Sequence, residues 1–284
     1  MQLGEKQQLP PILEETLLSR FEKGELELPL LPRSTAQILA ASEEELGGLL
    51  SNVLGRDLSL AASVLQMANT PLYRGTSPIV SIPQAMNRLG TKIIRSLIMT
   101  MSWNSKGFQV GEYAAEVKQL FAHSLGVALC SQEVARRLRK NVEEAFLVGL
   151  LHDIGRPILL QAVCTVAKEL KLHASRGAVL DMIVMRHPEI GALLVQRWTL
   201  PVRFQRIIAA HHEAEPCAED RAGVHLLQLG DVLAKHMLEE LPVEVVQNHD
   251  AVVSLNIYPD MLEGILQKRD TIKEAVQQFI STCA

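Results

Sequence analysis

Across 284 residues the chain is 48% hydrophobic and 21% charged, enough apolar side chain to build a sizeable core in one or two domains. A formal net charge of -4 and a pI near 6.2 argue against broad electrostatic capture of nucleic acid or of an anionic membrane. Cys130, Cys164, Cys217 and Cys283 form no C-x-x-C pair, so neither a disulfide framework nor a thiolate zinc site is expected.

The opening Met1-Gln2-Leu3-Gly4-Glu5-Lys6 lacks the basic-then-apolar run of a secretory signal. No stretch offers about 18 consecutive apolar residues, and a cytoplasmic protein is expected. Only 4% of residues are aromatic and alternating β-branched runs are missing, so the chain reads as all-α.

In chain order, Leu30-Leu31-Pro32-Arg33-Ser34 reads as an extended entry capped at Ser34. Ile38, Leu39, Leu46, Leu49, Leu50, Val53 and Leu54 follow at helical spacing, with a break near Ser42 and an end at Gly55. Asp57 or Ser59 caps the next helix, whose apolar face includes Leu60, Val64, Leu65 and Met67 before Asn69-Thr70-Pro71 stops it. Ser81-Ile82-Pro83 starts another, closing at Leu89-Gly90, and Thr91 caps the run Ile93, Ile94, Leu97, Ile98 and Met101. These short helices make a module without obvious catalytic side chains, residues 1–104.

The apolar period lapses around Asn104-Ser105-Lys106-Gly107, and a longer helix from Glu112 carries Val117, Leu120, Phe121, Leu125, Val127 and Leu129. Residues 105–284 are expected to form a helical bundle with a C-terminal helical extension beyond Pro242, marked by Ile265, Ile272, Val276 and Phe279.

Within this second part, polar residues interrupt apolar runs. His123 lies beside Phe121 and Leu125. His152-Asp153 ends the helical pattern Phe146, Gly149, Leu150, with Gly155 available to turn the chain. His187 precedes Pro188, His211-His212 follows Ile207-Ile208-Ala209-Ala210, and Asp231 sits between Leu229 and Leu233. Singly, a histidine such as His123 is ordinarily a satisfied core or surface residue, and an Asp such as Asp231 a cap or a solvated position. Together they supply imidazole nitrogen and carboxylate oxygen, which suit a borderline divalent metal, and a carboxylate can bridge two.

The order His, His-Asp, His, His-His, Asp resembles the HD superfamily of metal-dependent phosphohydrolases, especially its HD-GYP branch. The similarity to the HDOD family is closer. It is carried by Leu30-Leu31-Pro32, by Val64-Leu65-Gln66-Met67-Ala68-Asn69 with Tyr73, by Ala85 to Leu89-Gly90, by Gly149-Leu150-Leu151-His152-Asp153-Ile154-Gly155, by His187-Pro188-Glu189-Ile190-Gly191-Ala192, by Trp198-Thr199-Leu200-Pro201 and by His211-His212. The resemblance implies an N-terminal helical module leading into an HD-like helical bundle, and a regulatory role in bacterial signalling beside cyclic-dinucleotide or two-component pathways.

It also implies a ligand set. His123, His152, Asp153 and Asp231 would hold one metal, and Asp153, His187, His211 and His212 a second. An all nitrogen-and-oxygen set does not distinguish Fe, Mn, Zn or Ni. Two features depart from HD-GYP phosphodiesterases: Arg156 stands where they carry Lys, and Ala214-Glu215-Pro216-Cys217 replaces the Gly-Tyr-Pro loop.

The first reading is therefore a signalling module acting on a protein partner. The alternative is a metal-dependent phosphohydrolase of a phosphodiester, nucleotide or cyclic dinucleotide, with Arg156 on the substrate phosphate. A di-iron oxygenase is third. No residue is assigned a catalytic role, and neither nucleic acid nor membrane is an expected partner.

Overall fold

The computed structural model describes residues 9–25, 37–38, 41–73, 75–104, 108, 110–198 and 200–282. Among them there is no strand. The expected cap at Ser34 and the Asn104–Gly107 lapse fall partly or wholly outside the described residues.

Helix α1 (Pro11–Glu22) opens on a proline, where a missing N–H costs nothing. Ser42 is the N-cap of α2 (Glu43–Arg56). Its hydroxyl and the Glu45 carboxylate exchange hydrogen bonds with each other's backbone amides, so the break expected at Ser42 is a capping box. That helix runs one residue beyond Gly55. Of the two expected caps of α3 (Leu58–Asn69), Asp57 makes the bond, accepting from Leu60 N at 3.0 Å.

Asn69 then staples the following loop: its amide donates to Leu65 O and Ile79 O and accepts from Ile79 N. Ser81 caps α4 (Ile82–Leu89), and α5 (Thr91–Asn104) follows Gly90. Of the four helices α2 to α5, three thus open on a side-chain cap, and Leu46, Leu50, Val64, Ala85, Ile94 and Leu97 are buried among them.

A 3-10 turn at Gly111–Tyr113 precedes α6 (Ala114–Arg137), so the long helix starts two residues later than its sequence pattern indicates. Its central stretch, Ser124 to Ala135, is buried throughout. Around it pack α7 (Val142–Leu151) and α11 (Arg221–Glu239), while α8 (Gly155–Leu170) packs on α9 (Arg176–Arg197), which packs on α10 (Val202–Ala209). The extension beyond Pro242 forms α12 (Val243–Gln247), α13 (Asp250–Ser254), α14 (Pro259–Leu266) and α15 (Arg269–Thr282).

Three contacts bind the halves of the chain, the first of them α1 on α8. Helix α5 packs on α7, and α15 lies across both α3 and α6, burying Ile272, Ala275, Val276 and Phe279. Residues Val142–Leu170 are the one segment among those described with the length and apolar composition to cross a membrane. Their most apolar window is 83% buried inside the protein, and His152-Asp153 interrupts it, as befits a core element.

Candidate metal centre

Helix α7 is capped by Asn141, whose side chain accepts from the amides of Glu143 and Glu144, and every residue from Ala145 to Leu151 is buried. The helix ends there, and His152-Asp153-Ile154 form a tight turn into α8 that points both polar side chains inward. Gly155 is the first residue of α8 and serves close approach rather than turning. A Cβ on it would lie 2.1 Å from the His187 carbonyl oxygen, so only glycine lets α8 cross α9 at the level of His187.

His187 itself sits inside α9. Pro188 beside it removes the amide that would bond the Val184 carbonyl in a regular helix. His211 and His212 occupy the turn after α10, held from α11 by Gln228, whose amide donates to the carbonyls of His211 and Glu213 at 3.2 and 2.8 Å. His123 comes from α6 and Asp231 from α11. All seven expected side chains therefore meet in one place, delivered by five separate segments.

The tautomers follow from the acceptors. His152 Nδ1 lies 2.8 Å from Gly149 O, His187 Nδ1 3.0 Å from Ile183 O and His211 Nδ1 2.6 Å from Ile208 O. A carbonyl only accepts, so each Nδ1 carries the proton and each Nε2 is left with a bare lone pair. His123 Nδ1 is likewise 3.0 Å from a carboxylate oxygen of Glu239. This is the outer-shell arrangement that orients imidazoles toward a metal.

The Nε2 atoms converge in two groups. In the first, the ligand atoms of His123, His152 and Asp231 lie within 4.8 Å of one another, with His123 Nε2 at 3.0 Å from Asp231 Oδ1. In the second, His187 Nε2 is 3.2 Å from the Nε2 atoms of both His211 and His212. Asp153 lies between them: Oδ2 is 3.5 Å from His152 Nε2, and Oδ1 is 3.1 Å from His187 Nε2 and 3.8 Å from His211 Nε2. One carboxylate oxygen faces each group.

Burial makes this arrangement costly without a cation. Side chains of His152 and Asp153 are 2% exposed and that of His187 0%. Both oxygens of Asp153 and Oδ1 of Asp231 are buried with no aligned hydrogen bond. Facing lone pairs and orphaned carboxylate oxygens are what one or two divalent ions would satisfy, so the residues present fit the group.

The electrostatics agree. Burial, opposed by the Asp153 charge, lowers the His152 imidazole. Burial and then the neighbouring His152 and His212 push His211 down to about 3. Burial also lowers His212. Asp153 is held well below the usual carboxylate range: its burial works against this, but His152, His187 and Arg156 outweigh it. His123 goes the other way. Burial pulls it down, yet the Asp231 and Glu239 carboxylates beside it raise it to about 9.

Arg156 does not stand free. Its Nε lies 3.0 Å from Asp153 Oδ1, so the side chain expected on a substrate phosphate is already drawn toward the bridging carboxylate. It lines an open groove of about 690 Å³ together with His123, Lys235 and Glu239. Lys235 bonds Asp231 Oδ2 at 2.7 Å.

Sequence reasoning missed Gln228 and Glu239. Both lie on α11, Gln228 three residues before Asp231 and Glu239 eight after, so helical spacing from Asp231 was the signal available.

The sequence matches the HDOD domain over residues 28–214. The chain belongs to the HDOD family. An uncharacterized protein of Treponema pallidum (strain Nichols) is 25% identical over 205 residues, covering 68% of this chain and 39% of that protein, so this chain spans about two-fifths of that relative's length. An HDOD domain protein of unknown function from Geobacter sulfurreducens is 26% identical and superposes with a TM-score of 0.66 over 93% of this chain and 97% of that one.

Two further solved structures share the fold. One, from Shewanella amazonensis SB2B, is provisionally named a metal-dependent phosphohydrolase and superposes with a TM-score of 0.68 at 17% identity, covering 96% of this chain and 99% of its own. The other, from Marinobacter aquaeolei VT8, is provisionally named a signal transduction protein, with a TM-score of 0.60 at 19% identity, covering 94% and 65%.

Proposed function

We propose that this HDOD protein is a bacterial signalling module, working in the cytoplasm, whose HD-type centre holds one or two divalent transition metals and whose output is contact with a protein partner. The observation that carries the reading is Asp153, a buried carboxylate with an unbonded oxygen facing each of two imidazole groups. His123, His152, Asp153 and Asp231 would hold one ion, and Asp153, His187, His211 and His212 the other. Because these ligands come from α6, the α7–α8 turn, α9, the turn after α10, and α11, occupancy ties five segments together. A change in metal or in a bound ligand then alters the packing of the bundle that a partner reads.

Metal content separates this from a purely structural cluster. Protein purified without chelator is expected to carry near-stoichiometric transition metal by elemental analysis, lost in His152→Ala. Metal-free protein from cells supplied with Fe and Mn, failing to take up either on reconstitution, would refute the assignment. The partner is tested by affinity capture from producing cells, and recovery of no signalling component counts against that half of the proposal.

A second reading, a metal-dependent phosphohydrolase, is favoured by the groove at His123. A bound metal would lower the pKa of a water and polarise a phosphoryl oxygen. Lys235 and Arg156 place two cations beside that point, where they can orient a phosphate. Arg156 cannot supply a proton at neutral pH, so the chain offers orientation without an evident general acid. Hydrolysis of bis(p-nitrophenyl) phosphate by the metal-loaded protein, abolished in Asp153→Asn, would support this reading, and no turnover with Mn or Fe would dismiss it.

A further inference from the structure

The groove that opens on the centre has walls of a particular kind. Leu120 on α6, Leu160 on α8, Leu180, Ile183 and Val184 on α9, and Leu238 on α11 form one side. Leu160 and Ile183 are buried and make the floor, while Val184 is 54% exposed at the lip. At the inner end stand His123, Arg156 and Lys235, each in contact with a carboxylate of the candidate centre. The acidic side chains on the lining are already matched, Glu116 by Arg176 and Glu239 by His123.

This lining is poorer in base-stacking groups than in aliphatic ones. No phenyl, phenol or indole ring lines the groove; the flat groups there, the His123 ring and the Arg156 guanidinium, are both held against carboxylates, and Gln119 is the one amide in the lining. Recognition of single nucleotides and unpaired bases rests on such stacking and edge contacts. An aliphatic wall ending in two cations, whose present partners Asp153 and Asp231 are the carboxylates a metal would engage, is instead complementary to a molecule with an anionic head and a saturated tail. A volume of about 690 Å³ falls within the range of small-ligand sites, roughly 300–1,000 Å³.

We infer that the groove binds a small soluble alkyl phosphate monoester, its phosphate at Arg156, Lys235 and the metal centre and its chain along Leu160, Ile183 and Val184. The inference rests on the reading that the centre holds metal and names the ligand class that would occupy it. It assigns the site to an aliphatic ester rather than to a cyclic dinucleotide.

A chain-length series tests it. Metal-loaded protein is titrated calorimetrically with inorganic phosphate and with ethyl, butyl and hexyl phosphate, below their aggregation limits, and metal per chain is measured on the same samples. Each methylene withdrawn from water raises affinity by up to about four-fold, so an open groove should give hexyl over ethyl phosphate a gain of about 30-fold. Val184→Asp, a change at an exposed lip position, is expected to flatten the series. Val253→Asp, at a still more exposed position on α13, is expected to leave it intact.

A flat series on metal-loaded protein would overturn this inference while leaving the metal reading in place. Tighter binding of cyclic di-GMP than of hexyl phosphate would do the same, as would binding only to vesicles containing phosphatidic acid. A chain that takes up no metal would overturn both.

Discussion

Replacing Asp153 by Asn keeps the shape of the side chain and removes the charge that faces His152 with one oxygen and His187 and His211 with the other. Metal per chain is expected to fall to background by elemental analysis. The metal-free variant should still fold, because Arg156 at 3.0 Å is partly exposed and can turn to solvent. Glu239→Gln is a milder probe. It acts only through His123 Nδ1, and the expected cost is about 10–100-fold in metal affinity, measured by chelator competition.

Imidazole titration gives a second expectation for the metal-free protein. His211 is held near 3 while an unfolded imidazole titrates near 6.5, so below pH ~6.5 the unfolded chain binds the extra proton and stability falls with acid. His123, raised to about 9, contributes stability that is complete below pH ~6.5 and is lost as pH climbs through 9. Denaturant unfolding across pH should show a maximum near pH 6.5, and His123→Gln should flatten the alkaline side alone. An unchanged alkaline limb in that variant would contradict the assignment.

How much of the site could be read from the chain depends on where the chemistry sits. The seven ligand candidates are side chains that break apolar runs, and their order was legible. The acceptors that fix the tautomers, the carbonyls of Gly149, Ile183 and Ile208, are main-chain atoms whose role no side-chain pattern records.

Helix boundaries divide the same way. Where an end is set by a local device it was visible, as at Ser81 and Leu89-Gly90. Where tertiary packing decides, it was not. A proline such as Pro188 ordinarily interrupts a helix, yet α9 runs through it because burial of Ile183, Ile190 and Leu194 outweighs one missing hydrogen bond. Gly155 presents as a turn residue but is needed for the crossing of α8 and α9. Gly155→Ala would force the backbone of His187 away by a clash that no side-chain rotation relieves. A destabilisation of roughly 1–3 kcal/mol in denaturant unfolding is expected, with loss of metal in the same variant.

The molecule as a whole is closed by α15. Phe279, 2% exposed, packs where this helix meets α3 and α6, and Phe279→Ala is expected to cost about 3 kcal/mol or more in denaturant unfolding. The helical pattern of α15 was readable in advance, but its destination against α3 was not, since periodicity says which face is apolar and nothing about which distant face it meets.

That destination has a bearing on synthesis. Helix α3 leaves the ribosome well before α15, so the part of its apolar face that α15 covers waits open while the intervening helices are translated. Such a long-range pairing raises contact order and slows the final docking step. The nascent chain carries a sticky surface for as long as those helices take to be made, and a chaperone able to shield an aliphatic helix face has its opportunity there.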